Sequence, residues 1–209
     1  MTDSRQTFLE GISKLFNNPD HADVKIFIGE HELPAHSVVI ASQSPFFEKA
    51  LNGSFRESKA KQFLFKEGSA HAHWRVFEYL YTGDYADEAN DVLGVPDDNE
   101  LIKHVRVYTT AEFFMLDNLK QIALQRFKAH LEGHWISDRL FDCIREVYSH
   151  TVDSEDVLRR AVVEVVCTCR AELWKKKEFR ALIYDGGDFA VDLMGSLSGD
   201  SRPFRKRLR

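Results

Sequence analysis

The chain has 209 residues, 44% hydrophobic and 29% charged, a formal net charge of −5 and three cysteines. That length suits one main domain of about 100–150 residues with a dependent appendage, and that composition excludes a disordered or collagen-like chain. No apolar run approaches the roughly 20 residues of a membrane span, and residues 1–6 lack the apolar stretch of a secretory signal.

The cysteines Cys143, Cys167 and Cys169 are too few, and odd in number, for a disulfide framework. Reduced thiols in a cytoplasmic or nuclear protein are therefore expected, with no membrane partner. Five of the 28 basic side chains crowd into residues 202–209, so the rest of the chain is more acidic than its net charge suggests. An acidic body does not attract nucleic acid by counterion release, and any such contact would have to come from this basic tail.

In chain order, Phe8, Leu9, Ile12, Leu15 and Phe16 recur at helical spacing and predict a short first helix ending before Asn17-Asn18-Pro19. Val24, Ile26 and Ile28 alternate and predict a strand closed by Gly29, with a turn and short return strand over 30–34. Residues 35–41 turn helical, and Ser44-Pro45 opens another helix, Ser44 as cap and Pro45 at the first helical position. Its buried face would be Phe46, Phe47, Ala50 and Leu51. Phe63-Leu64-Phe65 predicts a third strand, and residues 73–81 a helix burying Trp74, Phe77, Leu80 and Tyr81 until Thr82-Gly83-Asp84 stops it.

Residues 86–99 are acidic, carry Gly94 and Pro96 and have no period, which predicts a mobile loop. A helical hairpin follows, its first limb holding Leu101, Ile102, Val105, Tyr108 and Phe113, its second Leu119, Ile122, Ala123, Phe127 and Leu131. Two further helices are predicted near 138–147 and 154–174, the latter capped by Ser154.

Candidate chemistry is sparse. His31-Glu32-Leu33-Pro34-Ala35-His36 resembles a zinc-protease motif, but its histidines are five apart rather than four, and Pro34 blocks a helix there. His71-x-His73 and Cys167-x-Cys169 lack a second pair at metal-ligand spacing. No nucleophile elbow and no phosphate-binding glycine loop is present. The aromatic residues Phe46, Phe47, Trp74, Phe77, Tyr79 and Tyr81 stand at helical spacing among acidic neighbours, which assigns them to a core rather than a base-stacking platform. No catalytic, metal-binding or cofactor-binding residue is assigned; apolar stripes without chemistry point to a protein-binding module.

One ordered succession of motifs is more specific than any of its parts. Asp23-Val24-x-Ile26-x-Ile28, then Leu33-x-Ala35-His36-x-x-Val39-Ile40-Ala41-x-x-Ser44-x-Phe46-Phe47, then Phe77-Glu78-Tyr79-Leu80-Tyr81-Thr82-Gly83 closely resembles the BTB/POZ family over residues 8–131. From residue 132 the chain is similar to the BACK-like helical extension that often follows such domains. The resemblance implies an α+β fold, a small sheet capped by a helical cluster over 1–131, then an all-helical extension over 132–200 and the basic tail 201–209.

It also implies a non-enzymatic, self-associating adaptor. Phe8, Ile12, Leu15, Phe16 and Asp23 match the family's two-fold dimer interface, and His36, Ser44, Phe46, Phe47, Tyr81 and Gly83 match its motif and core positions. Ala86-Asp87-Glu88 is the nearest match to an apolar-x-Glu element through which some members contact a cullin-type ubiquitin ligase scaffold. The position after His36, usually basic in the family, is Ser37, which takes away one side of a charged pocket with Asp23. A nuclear, transcription-linked or chromatin-linked assembly module is the alternative role, and an enzyme of unknown type the last.

Overall fold

The computed structural model describes residues 4–53, 60–151 and 156–199, and 64% of the chain is helical. Ser154 and the basic tail 201–209 lie outside the described residues. The chain divides into two compact units, residues 1–98 with 106–123, and residues 99–105 with 124–209.

In the first unit, α1 (Ser4–Ser13) precedes the antiparallel pair β1 (Val24–Ile28) and β2 (His31–Ala35). Gly29, with φ 61°, takes the left-handed turn between them, a conformation a side chain would resist. β3 (Gln62–Phe65) lies parallel to β1 on its other side, so the strand order is β2-β1-β3. The period-two residues Val24, Ile26 and Ile28 all face inward and are buried with Leu33, Ala35 and Phe63. β2 feeds α2 (Ser37–Gln43) and α3 (Pro45–Asn52), the Ser44 hydroxyl accepting from Phe47 N–H at the start of α3 and Pro45 taking the first helical position.

α4 (Ala70–Thr82) crosses behind the sheet. It is capped by Ser69 at its start and closed by Gly83, φ 79°, whose N–H reaches the Tyr79 carbonyl at 2.8 Å. Phe47, Phe63, Phe77 and Phe114 pack together there, Phe47 stacked on Phe114 at 5.1 Å and edge-on to Phe63 at 5.2 Å. Each such aromatic pair contributes about 0.5–1.5 kcal/mol beyond its burial.

Two elements differ from the sequence reading. The first helix stops at Ser13, and residues 14–17 turn instead. Asn17 sits at φ 52°, and Phe16 is drawn onto Trp74 and Tyr81, so the tertiary contact overrides the helical period. Within the acidic stretch, Asp91–Leu93 forms a 3-10 turn closed by Gly94 at φ 64°.

The helical hairpin is α5 (Ile102–Phe113) and α6 (Asp117–His134), each of which has residues assigned to both units. The second unit continues with α7 (Arg139–His150), α8 (Val157–Leu173), α9 (Lys177–Asp185) and α10 (Asp188–Leu197). Asp156 caps α8, accepting from Leu158 N–H at 2.8 Å, in a place where the sequence suggested Ser154. The last two helices fall within the helical extension that the resemblance implies over 132–200, though no local pattern marks them singly. They are short and parted by Gly186 and Gly187, both at positive φ. Their Phe179, Leu182, Phe189 and Leu193 are buried with Ile144, Val147, Val162 and Val166. Arg159 ties this unit together: its guanidinium lies 4.3 Å over the Tyr148 ring and its Nε donates to the Thr151 hydroxyl at 2.7 Å. The Tyr148 hydroxyl in turn donates to Asp192 at 2.9 Å.

Candidate protein-interaction surface

The turn after α1 docks on α4. Phe16 meets the Trp74 ring edge-on at 5.1 Å and lies 5.7 Å from Tyr81, while Ser13 Oγ donates to the Tyr81 carbonyl at 3.3 Å. Ile12, Leu15 and Phe16 are thereby half-buried against their own domain. Phe8 and Leu9, by contrast, are 68% and 48% exposed, so the start of the helix presents apolar side chains to solvent. Of the helical stripe, Ile12, Leu15 and Phe16 are thus occupied at home, while Phe8, which the resemblance places in the dimer interface, and Leu9 beside it are open.

Tyr81 and His36 form the hub beneath this helix. The Tyr81 hydroxyl accepts from His36 N–H at 2.8 Å and lies 3.0 Å from His36 Nδ1. The Asp20 carbonyl, 2.8 Å from His36 Nε2, can only accept, so Nε2 donates to it and the neutral ring's Nδ1 accepts from the Tyr81 hydroxyl. Both ring nitrogens of His36 are spent on structure, and Pro34 lies in a strand, so the His31/His36 pair has no helical face to share. Burial pushes the Tyr81 phenol up to about 12, against the lowering effect of the His36 N–H. Tyr81 is buried and cannot touch a partner directly, whereas Thr82 and Gly83 beside it are exposed.

Asp23 stands at the edge of this hub. Its carboxylate accepts from Ser37 N–H, from Ser37 Oγ and from Lys61 Nζ, each at 2.7 Å. Partial burial alone would raise its pKa, but these three donors outweigh that and hold the carboxyl at about 2. The basic neighbour that Ser37 does not supply is therefore provided by Lys61, 38 residues away in sequence.

The acidic stretch is anchored from below by Arg75, only 2% exposed and missed in the sequence reading. Its Nε donates to the Ala86 carbonyl at 3.0 Å, its Nη2 to the Asp87 carbonyl at 3.1 Å, and both Nη atoms grip the Asp97 carboxylate at 2.9 and 2.6 Å. Burial would raise the Asp97 carboxyl, yet the Arg75 hydrogen bonds and charge bring it below the usual carboxylate range. His71 Nε2 bonds the Val95 carbonyl at 2.9 Å, and Asp98 takes Ser69 and Arg106. The Ala86 N–H is held by Glu78 at 2.9 Å. Ala86 and Glu88 are exposed on this tethered backbone and Asp87 is half-buried. A basic residue inside an apolar helical run, followed about 20 positions later by Asp97-Asp98, was the available signal.

The sequence profile of the BTB/POZ domain matches residues 12–131, more than half of the chain. This chain belongs to the BTB/POZ domain family. Among curated relatives, the BTB chain is 31% identical to Kelch-like protein 38 of Mus musculus over 97 residues, 46% of this chain and 17% of that protein. It is 28% identical to Kelch-like protein 2 of Rattus norvegicus over 149 residues, 70% of this chain and 25% of that protein. The latter alignment is too long to be contained within residues 12–131. The chain thus spans about a quarter or less of the length of these relatives. Among solved structures, the BTB domain of zebrafish PATZ1 aligns with a TM-score of 0.45 and 19% identity, over 62% of this chain and 98% of that one. The BTB domain of human Gigaxonin aligns at 0.43 and 17%, over 60% and 93%.

Proposed function

We propose that this chain is the assembly part of a non-enzymatic adaptor: it self-associates through the start of α1 and uses the tethered acidic loop to recruit a cullin-type ubiquitin ligase scaffold. The observation that carries the reading is the division of α1. Its end is fastened to α4 by Ser13 and by Phe16 in the turn that follows, while Phe8 and Leu9 near its start remain exposed. A two-fold contact between two such helices would cover those side chains, and isologous pairing is the commonest way a chain meets its own copy. Membership of the BTB/POZ family and the similarity to Kelch-like proteins support the adaptor role.

For the scaffold contact, Arg75 fixes the carbonyls of residues 86 and 87, so Glu88 is offered from a backbone with little freedom to lose on binding. Ala86 offers little area, at about 25 cal/mol per Å² of apolar surface, so charge complementarity has to supply encounter and specificity. Calorimetry of the full chain against purified cullin N-terminal domains tests this. Binding that weakens steeply with salt and is lost in Glu88→Lys supports the scaffold reading; no heat at tens of micromolar removes the cullin clause and leaves self-assembly.

A further inference from the structure

α3 ends at Asn52, and Gly53 follows it in an extended conformation, φ −78° and ψ 177°. Asn52 is exposed, and it is the one asparagine in the sequence that precedes a glycine. That pairing matters chemically. The backbone nitrogen after an asparagine can attack the side-chain amide, and glycine, with no Cβ, obstructs the approach least. At the ends of α2 and α4 the corresponding nitrogen is engaged, Ser44 N–H on the Ile40 carbonyl at 3.1 Å and Gly83 N–H on the Tyr79 carbonyl at 2.8 Å. Among the described residues no such cap bond holds the Gly53 N–H.

The remaining asparagines are placed otherwise. Asn18 precedes Pro19, which has no N–H. The side-chain carbonyl of Asn90 accepts from Val92 N–H at 2.9 Å, and that of Asn99 from Leu101 and Ile102 N–H at 3.0 and 2.9 Å, which holds both in local turns. Asn17 and Asn118 precede the bulkier Asn18 and Leu119. Asp185-Gly186 could form a similar ring, but there the Gly186 N–H is bonded to the Ile183 carbonyl at 3.1 Å and its backbone lies at φ 72°.

We infer that Asn52 is a modification site at which the chain deamidates itself through Gly53. Gly53 N, having given its proton to hydroxide, bonds to Asn52 Cγ; the Cγ–Nδ2 bond breaks, and the amide nitrogen takes up a proton and leaves as ammonia. Water then opens the cyclic imide, at Cγ to give aspartate or at the backbone carbonyl to give isoaspartate, whose main chain is longer by a methylene. Either product puts a carboxylate at the C-terminal end of α3, where the helix dipole is negative. It also stands four residues after Glu48, a like charge on the same helix face, and Lys49 offsets only part of this. The turn so loosened carries Lys49 and Ala50, which line an apolar groove of about 370 Å³ with Phe46, Phe63, Phe65 and Met115. Deamidation therefore ages the wall of that groove.

The test incubates the full chain at neutral and mildly alkaline pH and follows the tryptic peptide 50–56 by mass, with digestion in heavy-oxygen water so that conversion during handling is marked. The acid form should accumulate there about tenfold faster or more than in any other asparagine peptide, and within about tenfold of the rate in a synthetic peptide of the same sequence. The second comparison separates what the fold permits from what the dipeptide does alone. Rates should rise with pH, and an isoaspartyl methyltransferase should label the aged chain. Gly53→Val, which this φ and ψ allow, should slow conversion by about tenfold or more. Asn52→Asp should speed amide exchange over residues 50–52 by about two- to fivefold. A native rate more than about tenfold below that of the free peptide means that α3 holds Asn52 and overturns the inference, as does an equal rate in Gly53→Val. Exchange over 50–52 that is unchanged in Asn52→Asp overturns the effect on the groove.

Discussion

Replacing Arg75 with leucine should release the acidic loop from the BTB domain. The guanidinium is 2% exposed and makes two bonds to Asp97 and one each to the carbonyls of Ala86 and Asp87. Leucine leaves these partners and the Glu88 carbonyl behind, with a carboxylate held in a largely buried place and only the His71 imidazole of the same helix near it, at 3.8 Å. Breaking one side of such a pair costs about 3–5 kcal/mol, which at an m-value of about 1–3 kcal/mol/M lowers the urea midpoint by at least about 1 M. The deficit should shrink toward acid, where Asp97 can take a proton and shed its unpaired charge. The double variant Arg75→Leu/Asp97→Asn should recover part of the loss, since neutral asparagine leaves no buried charge. Because the loop carries Glu88, cleavage there by a glutamate-specific protease reports its release directly. A loss below about 1 kcal/mol together with unchanged cleavage at Glu88 would refute the anchoring argument.

Three further outcomes are expected. Asp23 is held at about 2, below the ordinary aspartate value of 3.8, so its contribution is present above about pH 4 and is lost as pH falls toward 2. Its partial exposure screens this to about 1 kcal/mol, and Asp23→Asn should flatten the acid limb of stability by that amount in denaturation at stepped pH. Tyr81→Phe removes the acceptor for the buried His36 N–H and should cost about 1–3 kcal/mol by the same assay, with His36 ring shifts in NMR reporting the lost partner at Nδ1. Burial pushes the Cys143 thiol up to about 12, so a thiol reagent should leave it unmodified in the native chain and reach it only in denaturant. Labelling of Cys143 at the rate of Cys167 would contradict the packing of α7.

Much of this fold was legible in local pattern. The alternation at Val24, Ile26 and Ile28 gave β1 and its inward face, Ser44-Pro45 gave the start of α3, and Gly83 gave the end of α4, because each is decided within a few residues. The pairs that shape the surface are not local. Arg75 finds Asp97 across 22 residues and Asp23 finds Lys61 across 38, and nothing in a single sequence couples such positions. Phe16 kept the helical period of α1 in sequence, yet the chain turns away at Ser13 because Trp74 and Tyr81 offer its ring a better place. That contact also changes which side chains test dimerisation, since charges at Leu15 and Phe16 would damage the domain whereas Phe8 and Leu9 can be altered without cost to it. α9 and α10 lie in the stretch expected to be helical, but their individual bounds are not legible because each is only nine or ten residues long, with the Gly186-Gly187 break between them.

A BTB chain that self-associates through α1 shows it most directly in its mass in solution. Sedimentation equilibrium of the full 24.1 kDa chain should give at least twice that mass at low micromolar concentration, falling when Phe8 and Leu9 are both changed to aspartate. A wild-type chain that sediments as a 24.1 kDa monomer up to high micromolar concentration would contradict the account.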